Sequence, residues 1–344
     1  MEGSKLVSIS VLKDTGKKMS VLEPSVVCKT FGELGLVEDD IETFLDGNLD
    51  ILLSGDESAP SLLQIGRQVP NEYGGECDLL AIDSDGCIVV IEIKRDPKDC
   101  RARVEAFEMQ SIRYASSFTK ISTPEELAEQ IYAHYLQRFN KNSMSSIDAH
   151  DCAKQRLNEF LRSNNSRGEF NRKQKIMLVA SGFDPETKSA CAWLQKNGID
   201  ISCIQITPLA HGDQNFLLVE RIIPPPALED MLAKVGRRKT VRATIIGDPT
   251  IVRATRTKLM NTADMIAQGI LKRGDTVTVK DRPESAATIE DYKTVIFRGS
   301  PISWNVWAKQ ITGWSAVNIY ANVLKDGKTL DELRFQVVAA EALE

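Results

Sequence analysis

The sequence predicts an α/β protein, with a mixed β-sheet flanked by helices and a small separate α+β domain after it. Two apolar runs at 76–83 and 87–95 flank the turn-forming residues DSDG at 83–86, which is typical of a β-hairpin. Residues 175–209 read as strand, helix and strand, and continue the same sheet. The triple proline at 224–226 ends this pattern, because neither a strand nor a helix interior accepts it.

Length and composition bound the class of protein. A chain of 344 residues is long enough for two or three domains, and 42% apolar with 26% charged residues is ordinary for a soluble globular protein. No run approaches the ~20 apolar residues of a membrane span, and the N-terminus lacks the apolar core of a signal peptide. We therefore expect a cytoplasmic protein with no membrane partner. Seven cysteines without a C-x-x-C pair, beside three histidines, disfavour a zinc site and favour reduced thiols.

Apolar spacing predicts the elements around the hairpin. A helix at 36–53 begins with Glu38, Asp39 and Asp40, where the helix dipole favours acidic side chains. A strand at 61–69 leads into the hairpin. After it come helices at 100–119 and 124–139, a polar segment with a loop at 144–173, a strand at 175–180, a helix at 189–198 and a strand at 200–209.

A basic connector and a second domain follow the prolines. The net charge of −5 argues against nonspecific coating of nucleic acid, yet residues 226–257 are locally basic and include Arg237 and Arg238. The pattern then predicts a helix at 258–272, strands at 276–280 and 294–298, a helix at 303–311 and a strand at 318–324. We interpret 1–225 as the first domain, 226–257 as a linker and 258–344 as a small α+β domain.

Charged residues interrupt the apolar hairpin strands. With the hairpin centred on its turn, Asp78 and Glu92 lie opposite each other, with Cβ atoms roughly 5 Å apart. Alternation along the strand places Lys94 on the same face as Glu92, whereas Ile91 and Ile93 point into the other layer. One face of the hairpin therefore carries an aspartate, a glutamate and a lysine together.

This set of side chains has a chemical interpretation. Two adjacent carboxylates repel each other unless a cation lies between them. Mg²⁺ takes oxygen ligands and keeps water in its shell, and a lysine beside it can orient or deprotonate a water molecule. The set predicts hydrolysis of a phosphodiester bond. The alternative is a half-exposed hairpin whose charged residues only face solvent.

With Asp78 followed by Glu92, Ile93 and Lys94 on a hairpin, residues 31–224 resemble the PD-(D/E)XK nuclease superfamily, in particular its NucS-like and restriction-type branch. The resemblance implies a restriction-endonuclease-like sheet and a Mg²⁺-dependent DNA endonuclease, with Mn²⁺ as a substitute ion. It implies that Asp78, Glu92 and the carbonyl of Ile93 bind the metal and that Lys94 acts on the nucleophilic water. The proline of the family name is absent, since Cys77 precedes Asp78, but that proline varies in the superfamily.

A second motif supports the same resemblance. QSIRY at 110–114 matches the Q-x-x-x-Y signature of RecB-like and NucS-like members. Gln110 and Tyr114 share one helix face and can hydrogen-bond a phosphate or a neighbouring group of the site. The alternative is an amphipathic helix that uses Tyr114 in its core.

Two further positions follow from the resemblance. The family uses a glutamate from the helix before the sheet, for which Glu42 is the choice and Glu38, one turn earlier, the alternative; a solvated helix face explains either. The segment IGRQ at 65–68 resembles the segment that precedes the hairpin in the family, and we expect Arg67 within it to contact a phosphate.

The C-terminal residues carry a softer resemblance. GILKRGDTVTV, RGSPISWNVWAKQITGW and DGKTLDELR are similar to the RAMA-type domain attached to restriction enzymes and adenine methylases. Ser300 is expected to cap a helix that starts at Pro301, with Trp304 and Trp307 on its buried face. The resemblance implies DNA contact and leaves sensing of modified bases open. Trp304 or Trp314 as a base-stacking residue is the alternative to a place in the core.

Taken together, the motifs predict a DNA endonuclease of restriction-modification or repair type, with DNA as its partner and with Arg237 and Arg238 among its nucleic-acid contacts. A homodimer is compatible with this function, because nuclease domains of this size often pair to cut both strands. The alternative is a non-catalytic DNA-binding or regulatory protein that retains the nuclease fold.

Overall fold

The computed structural model describes residues 9–11, 19–21, 26–53, 59–71, 75–97, 106–139, 145–224 and 260–341. The predicted α/β class is confirmed. The chain divides into two units, the first comprising Met1–Pro224 with Ala308–Asn318, the second Pro225–Trp307 with Ile319–Glu344. The predicted linker at 226–257 lies outside the described residues.

Strands of the first unit form a small sheet and a large one. The large sheet is mixed, with the order β3-β8-β7-β6-β5-β4 and with β9 paired to β8; β6, β7 and β8 run parallel and the other pairs are antiparallel. The strands are β1 Ile9–Val11 and β2 Met19–Val21, which pair with each other, then β3 Val27–Cys28, β4 Leu62–Pro70, β5 Glu76–Asp83, β6 Ile88–Lys94, β7 Gln174–Ala180, β8 Asp200–His211 and β9 Gln214–Ile223.

Helices cover this mixed sheet. They are α1 Glu38–Asp46, α2 Phe107–Phe118, α3 (Pro124–Leu127 and Ala133–Phe139, joined by a π-helical turn at Ala128–Tyr132), α4 Ser146–Ser163 and α5 Pro185–Lys196.

One predicted helix has wrong bounds, and one observed helix was not predicted. The helix expected at 36–53 ends at Asp46, because Gly47 closes it, and a separate 3₁₀ turn covers Leu49–Leu53. In the polar segment at 144–173, which was expected to include a loop, the helix α4 covers Ser146–Ser163 and was not predicted. The buried face of α4 has apolar residues every three or four positions, but most other residues of the helix are polar, so the helical period is weak in the sequence. The buried residues are Ala149, Ala153, Leu157, Phe160 and Leu161.

The core of the first unit lies between one face of the mixed sheet and α1. Alternate residues of the hairpin strands point into it, as the twofold period of a strand requires. On the opposite face of the hairpin, Leu80, Ile82 and Val90 are also buried, and the charged residues Asp78, Glu92 and Lys94 lie at one end of that face. The members of the core include Ile41, Leu45, Leu49, Leu79, Ala81, Val89, Ile91, Ile93 and Val179.

Residues 308–318 belong to the first unit and cover the edge of its sheet. Ala316 forms a β-bridge with Leu62 of the edge strand β4, and the hydroxyl of Ser315 accepts a hydrogen bond from the amide of Gln64 at 2.9 Å. Trp314 packs edge-on against Phe160 with 4.9 Å between ring centroids. Edge strands with free backbone groups invite pairing with other chains, so this cover protects the sheet.

The second unit is a six-stranded antiparallel sheet with helices. Its strand order is β13-β12-β11-β10-β14-β15. Among the described helices, none has the length and apolar character needed to cross a membrane. The elements from residue 260 onward are α6 Thr262–Ala267, β10 Thr276–Val279, β11 Arg282–Ile289, β12 Thr294–Phe297, β13 Ser300–Ser303, α7 Trp304–Thr312, α8 Ile319–Asn322, β14 Val323–Lys325, β15 Lys328–Thr329 and α9 Leu330–Glu341; residues 308–312 of α7 belong to the first unit.

The expected helix start at Ser300 and Pro301 was wrong. Arg298 and Gly299 both adopt positive φ, 51° and 80°, and turn the chain so that residues 300–303 pair with β12. Pro301 is tolerated there because β13 is an edge strand. The strand expected at 318–324 was also largely wrong, since Ile319–Asn322 is a short helix and only Val323–Lys325 is extended.

The tryptophans of this region belong to cores. Trp304 and Trp307 are buried, and their indole N–H groups donate to the backbone carbonyls of Asp291 at 3.3 Å and Ser285 at 3.1 Å. Trp314 is buried against Phe160. The expectation of a buried helix face holds for Trp304 and Trp307, and neither Trp304 nor Trp314 presents a face for stacking on a base.

Candidate active site

The hairpin opens at the end that carries its charged residues. Backbone pairing between β5 and β6 extends to Leu79 opposite Ile91. Beyond this pair, the carboxylate of Asp78 accepts the amide N–H of Ile93, with 2.6 Å between N and Oδ2. A side chain thus takes the place of a backbone carbonyl, and Asp78 is fixed next to the segment that carries Glu92 and Lys94.

Lys94 lies at the centre of the charged residues. Its Nζ lies 2.8 Å from Oε1 of Glu38, 3.5 Å from Oε1 of Glu92 and 3.9 Å from Oδ2 of Asp78. It also donates to the carbonyl of Ile93 at 2.8 Å. The predicted face with aspartate, glutamate and lysine is therefore present, and the ammonium holds three carboxylates around one point.

Helix α1 adds two glutamates to this point. Glu38 and Glu42 lie one turn apart on α1. One carboxylate oxygen from each of Glu38, Glu42 and Asp78 lies within 4.8 Å of the other two. The sequence left Glu42 and Glu38 as alternatives, whereas the fold brings both to the site. Three carboxylates at such spacing match the oxygen ligands that Mg²⁺ and Mn²⁺ prefer, so the donor set fits such an ion.

Glu92 takes a different place from the one expected. It is fully buried and contacts the ammonium of Lys94, but it is not a member of the group formed by Glu38, Glu42 and Asp78. Its role as a metal ligand, and that of the carbonyl of Ile93, stay predictions.

Arg67 supports Glu42 rather than facing solvent. Its Nη2 lies 2.5 Å from Oδ1 of Asp39 and 2.9 Å from the hydroxyl of Thr43, and its Nε lies 3.6 Å from Oε2 of Glu42. Gln68 donates to the same oxygen of Glu42 at 3.3 Å. The expected contact of Arg67 with a phosphate stays a prediction. Its contacts with Asp39 and Thr43 hold the guanidinium beside Glu42, so Arg67 orients that carboxylate.

Asp39, Thr43 and Gln68 were not identified from the sequence. The spacing of Asp39 and Thr43 on α1 is the one feature of the sequence that could have indicated a shared contact. Asp39 and Thr43 are four residues apart, so they share a face of α1, and both contact Arg67. The pairing of that face with β4 depends on the tertiary structure alone.

Burial and like charge shift the pKa values of the site. Burial raises the pKa of Asp78 to about 7, although Lys94 and the Ile93 amide oppose the shift. Burial also raises the pKa of Glu42, and Arg67 limits that rise. For Lys94, burial lowers the pKa, but Asp78, Glu92 and Glu38 together outweigh burial and the net shift is upward. Near neutral pH the lysine is therefore a cation, and it lies beside Asp78, whose carboxyl group holds its proton unusually tightly.

Gln110 and Tyr114 contact each other on α2. The amide of Gln110 donates to the hydroxyl of Tyr114 at 3.1 Å, and the Tyr114 ring is buried. A Cβ on Gly75, just before β5, would lie 2.6 Å from this hydroxyl, so the tyrosine packs where only glycine fits. Burial raises the pKa of Tyr114, and the Gln110 hydrogen bond opposes the shift. Tyr114 thus has a core position, and its catalytic role stays a prediction.

Arg237 and Arg238 lie outside the described residues, and their contact with nucleic acid stays a prediction. The thiols of Cys77 and Cys87 are buried, as expected of small apolar groups. No protein-family model, curated protein or solved structure matches the chain.

Proposed function

We propose that the chain is a Mg²⁺-dependent DNA endonuclease of restriction or repair type with a restriction-endonuclease-like first unit. The observation that carries the proposal is the convergence of three carboxylates, from Glu38, Glu42 and Asp78, beside the ammonium of Lys94. Two of these carboxylates, those of Glu42 and Asp78, are buried, and a fold gains no stability from like charges held this close; such groups collect at functional sites.

The donor set supports a bound divalent ion. Glu38, Glu42 and Asp78 would hold the ion, and Glu92 and the carbonyl of Ile93 are retained as further candidate ligands because Lys94 links them to the cluster. When bound, Mg²⁺ or Mn²⁺ would supply Lewis-acid polarisation of a phosphoryl oxygen and a more acidic water. A bound ion would relieve the mutual repulsion of these crowded carboxylates, two of which are buried.

Lys94 is the proposed catalytic residue of this chain. Its raised pKa favours the ammonium form, which orients a water molecule and stabilises negative charge on phosphoryl oxygens. Packing of Ile91 and Ile93 into the core fixes the backbone from which it projects. Arg67 and Gln68 hold Glu42, so that its carboxylate is placed before an ion or substrate arrives.

DNA rather than another phosphodiester is proposed from the sequence of the second unit. Its RAMA-like motifs and the basic residues at 226–257 would contribute DNA affinity and recognition of the target site. Cutting the chain after Pro226 is an unsuitable test, because it removes residues 308–318, which pack within the first unit. Substituting Arg237 and Arg238 by alanine in the full chain should reduce the slope of log affinity against log salt by about 2, one for each lost phosphate contact.

The deciding experiment is cleavage of supercoiled plasmid by the purified full chain. Modified and unmodified plasmids are incubated with Mg²⁺, with Mn²⁺ and with a chelator. We expect metal-dependent nicked or linear products, lost in Asp78→Asn and retained in the matched variant Asp200→Asn, whose side chain is exposed at the start of β8. Binding of DNA without cleavage under all these conditions would favour the non-catalytic alternative.

A further inference from the structure

A groove outside the carboxylate cluster runs between α2 and α5. It has a volume of about 690 Å³, and its walls include Glu108 and Met109 from α2 and Pro185, Glu186 and Trp193 from α5. The lining residues of α5 recur from 185 to 194 along one face, a length of about 13 Å. An elongated occupant therefore fits this groove better than a compact ion.

The groove presents apolar side chains to solvent. Trp193 is 64% exposed and Met109 is 48% exposed. The other three tryptophans, Trp304, Trp307 and Trp314, are all buried. Exposed aromatic and methionine side chains that meet in one concave place are typical of binding surfaces.

Glu108 supplies the polar feature of the groove. The residue is only 9% exposed, and its Oε2 is buried with no hydrogen-bond partner among the described residues. A buried carboxylate oxygen without a donor is costly, so a ligand that brings donors gains what the folded chain lacks.

The charge of the groove selects the kind of occupant. Glu108 and Glu186 line it, and none of the lining residues that the structure describes is a lysine or an arginine; the two carboxylates repel a phosphate or nucleic-acid backbone. A cation is attracted by the two carboxylates and by the face of Trp193. Arginine fits both features, because its guanidinium donates to carboxylates and stacks on aromatic rings.

We propose that this groove binds a basic, partly apolar segment of a partner protein, with an arginine side chain at Glu108 and apolar side chains against Met109 and Trp193. The lining residues of the groove do not include Glu38, Glu42, Asp78 or Lys94, and the proposal does not rest on the nuclease function. It gives the chain a protein partner in addition to any nucleic acid.

The test uses the full chain and the exposure of Trp193 to acrylamide, which quenches the fluorescence of solvent-exposed tryptophans. The probe is a capped octapeptide of alternating leucine and arginine pairs, and its control carries citrulline, the neutral analogue, in place of arginine. We expect saturable protection of Trp193 by the arginine peptide, and binding about tenfold weaker in Glu108→Gln, because a charge-assisted hydrogen bond is lost. The matched variant Glu169→Gln, with an exposed carboxylate elsewhere in the unit, should bind as the parent does.

Three results would overturn the proposal. The first is equal binding of the citrulline peptide, and the second is unchanged affinity in a Glu108→Gln variant that keeps the parent circular dichroism spectrum. The third is protection of Trp193 without added peptide, which would mean that the chain itself fills the groove.

Discussion

The two ends of the hairpin formed by β5 and β6 both combine carboxylates with a lysine, yet their charges are balanced differently. At the turn, Oδ1 of Asp83 accepts the amides of Asp85 at 3.0 Å and Cys87 at 2.9 Å. Lys175 adds its ammonium 2.5 Å from Asp83 and 2.8 Å from Asp85. Backbone amides hydrogen-bond Asp83, and the ammonium of Lys175 lies between the two carboxylates. The charged groups of this end therefore stabilise the turn.

At the open end the carboxylates outnumber the cations. Lys94 faces Glu38, Asp78 and Glu92, and Glu42 adds a further carboxylate within 4.8 Å of Glu38 and Asp78. Asp78 also accepts a backbone amide, from Ile93. Buried charge is therefore common to both ends, and the larger excess of carboxylates at the open end is the feature that favours a functional site there.

The largest difference is expected in catalysis. Lys94→Ala should reduce Mg²⁺-dependent plasmid cleavage roughly 10²–10⁴-fold, the range for loss of a group that handles a proton or charge in the transition state. Lys175→Met should leave the rate per folded molecule nearly unchanged, since Lys175 contacts the turn only. Rates are measured at a temperature where circular dichroism shows both variants folded. Equal losses in the two variants would remove the distinction between the ends.

Substitution at the turn should instead lower the free energy of unfolding. Lys175→Met leaves Asp83 fully buried without its cation and should lower the free energy of unfolding by about 3 kcal/mol. Lys173→Met, at an exposed position two residues earlier, should change it by less than about 0.5 kcal/mol. Urea unfolding measures both variants. A Lys175→Met protein as stable as its control would show that the turn cluster contributes little.

A divalent ion should stabilise the folded chain by binding at the open end and not at the turn. At a Mn²⁺ concentration 100 times its dissociation constant, the free energy of unfolding should rise by about 2.7 kcal/mol. Asp78→Asn should lose most of this rise, because one of the three carboxylates is removed, while Asp200→Asn should keep it. Thermal unfolding with and without Mn²⁺ gives both values. The same metal-induced rise in Asp78→Asn would place the ion elsewhere.

The smallest effect concerns pH in the absence of metal. Asp78 has a pKa of about 7 in the folded chain, against about 3.9 in an unfolded one, so the folded state binds the proton more tightly. The free energy of unfolding should therefore fall as pH rises through the range between these two values, by about 1 kcal/mol from pH 6 to pH 8. Urea titrations in a chelator measure the change. An equal pH dependence in Asp78→Asn would assign it to another group.

Local pattern predicted much of the hairpin and its site. The strands at 76–83 and 88–94, the shared face of Glu92 and Lys94, and the core positions of Ile91 and Ile93 follow from the twofold period of a strand. Helix α4 was missed because its apolar positions are few among polar ones. The helix predicted at 303–311 was close to the observed α7, but its expected cap failed, because a positive-φ turn at 298–299 outweighed the helical signal of Ser300 and Pro301.

The sequence by itself determined which residues lie on one face of a strand or one turn of a helix, because those relations depend only on backbone periods. It therefore placed Asp78, Glu92 and Lys94 together and left Glu38 and Glu42 as alternatives. Only the tertiary structure decided that α1 brings both glutamates to Asp78, that Glu92 is buried behind Lys94, and that residues 308–318 pack within the first unit. These relations join segments far apart in the chain, and they depend on how helices and strands pack, which no local period encodes.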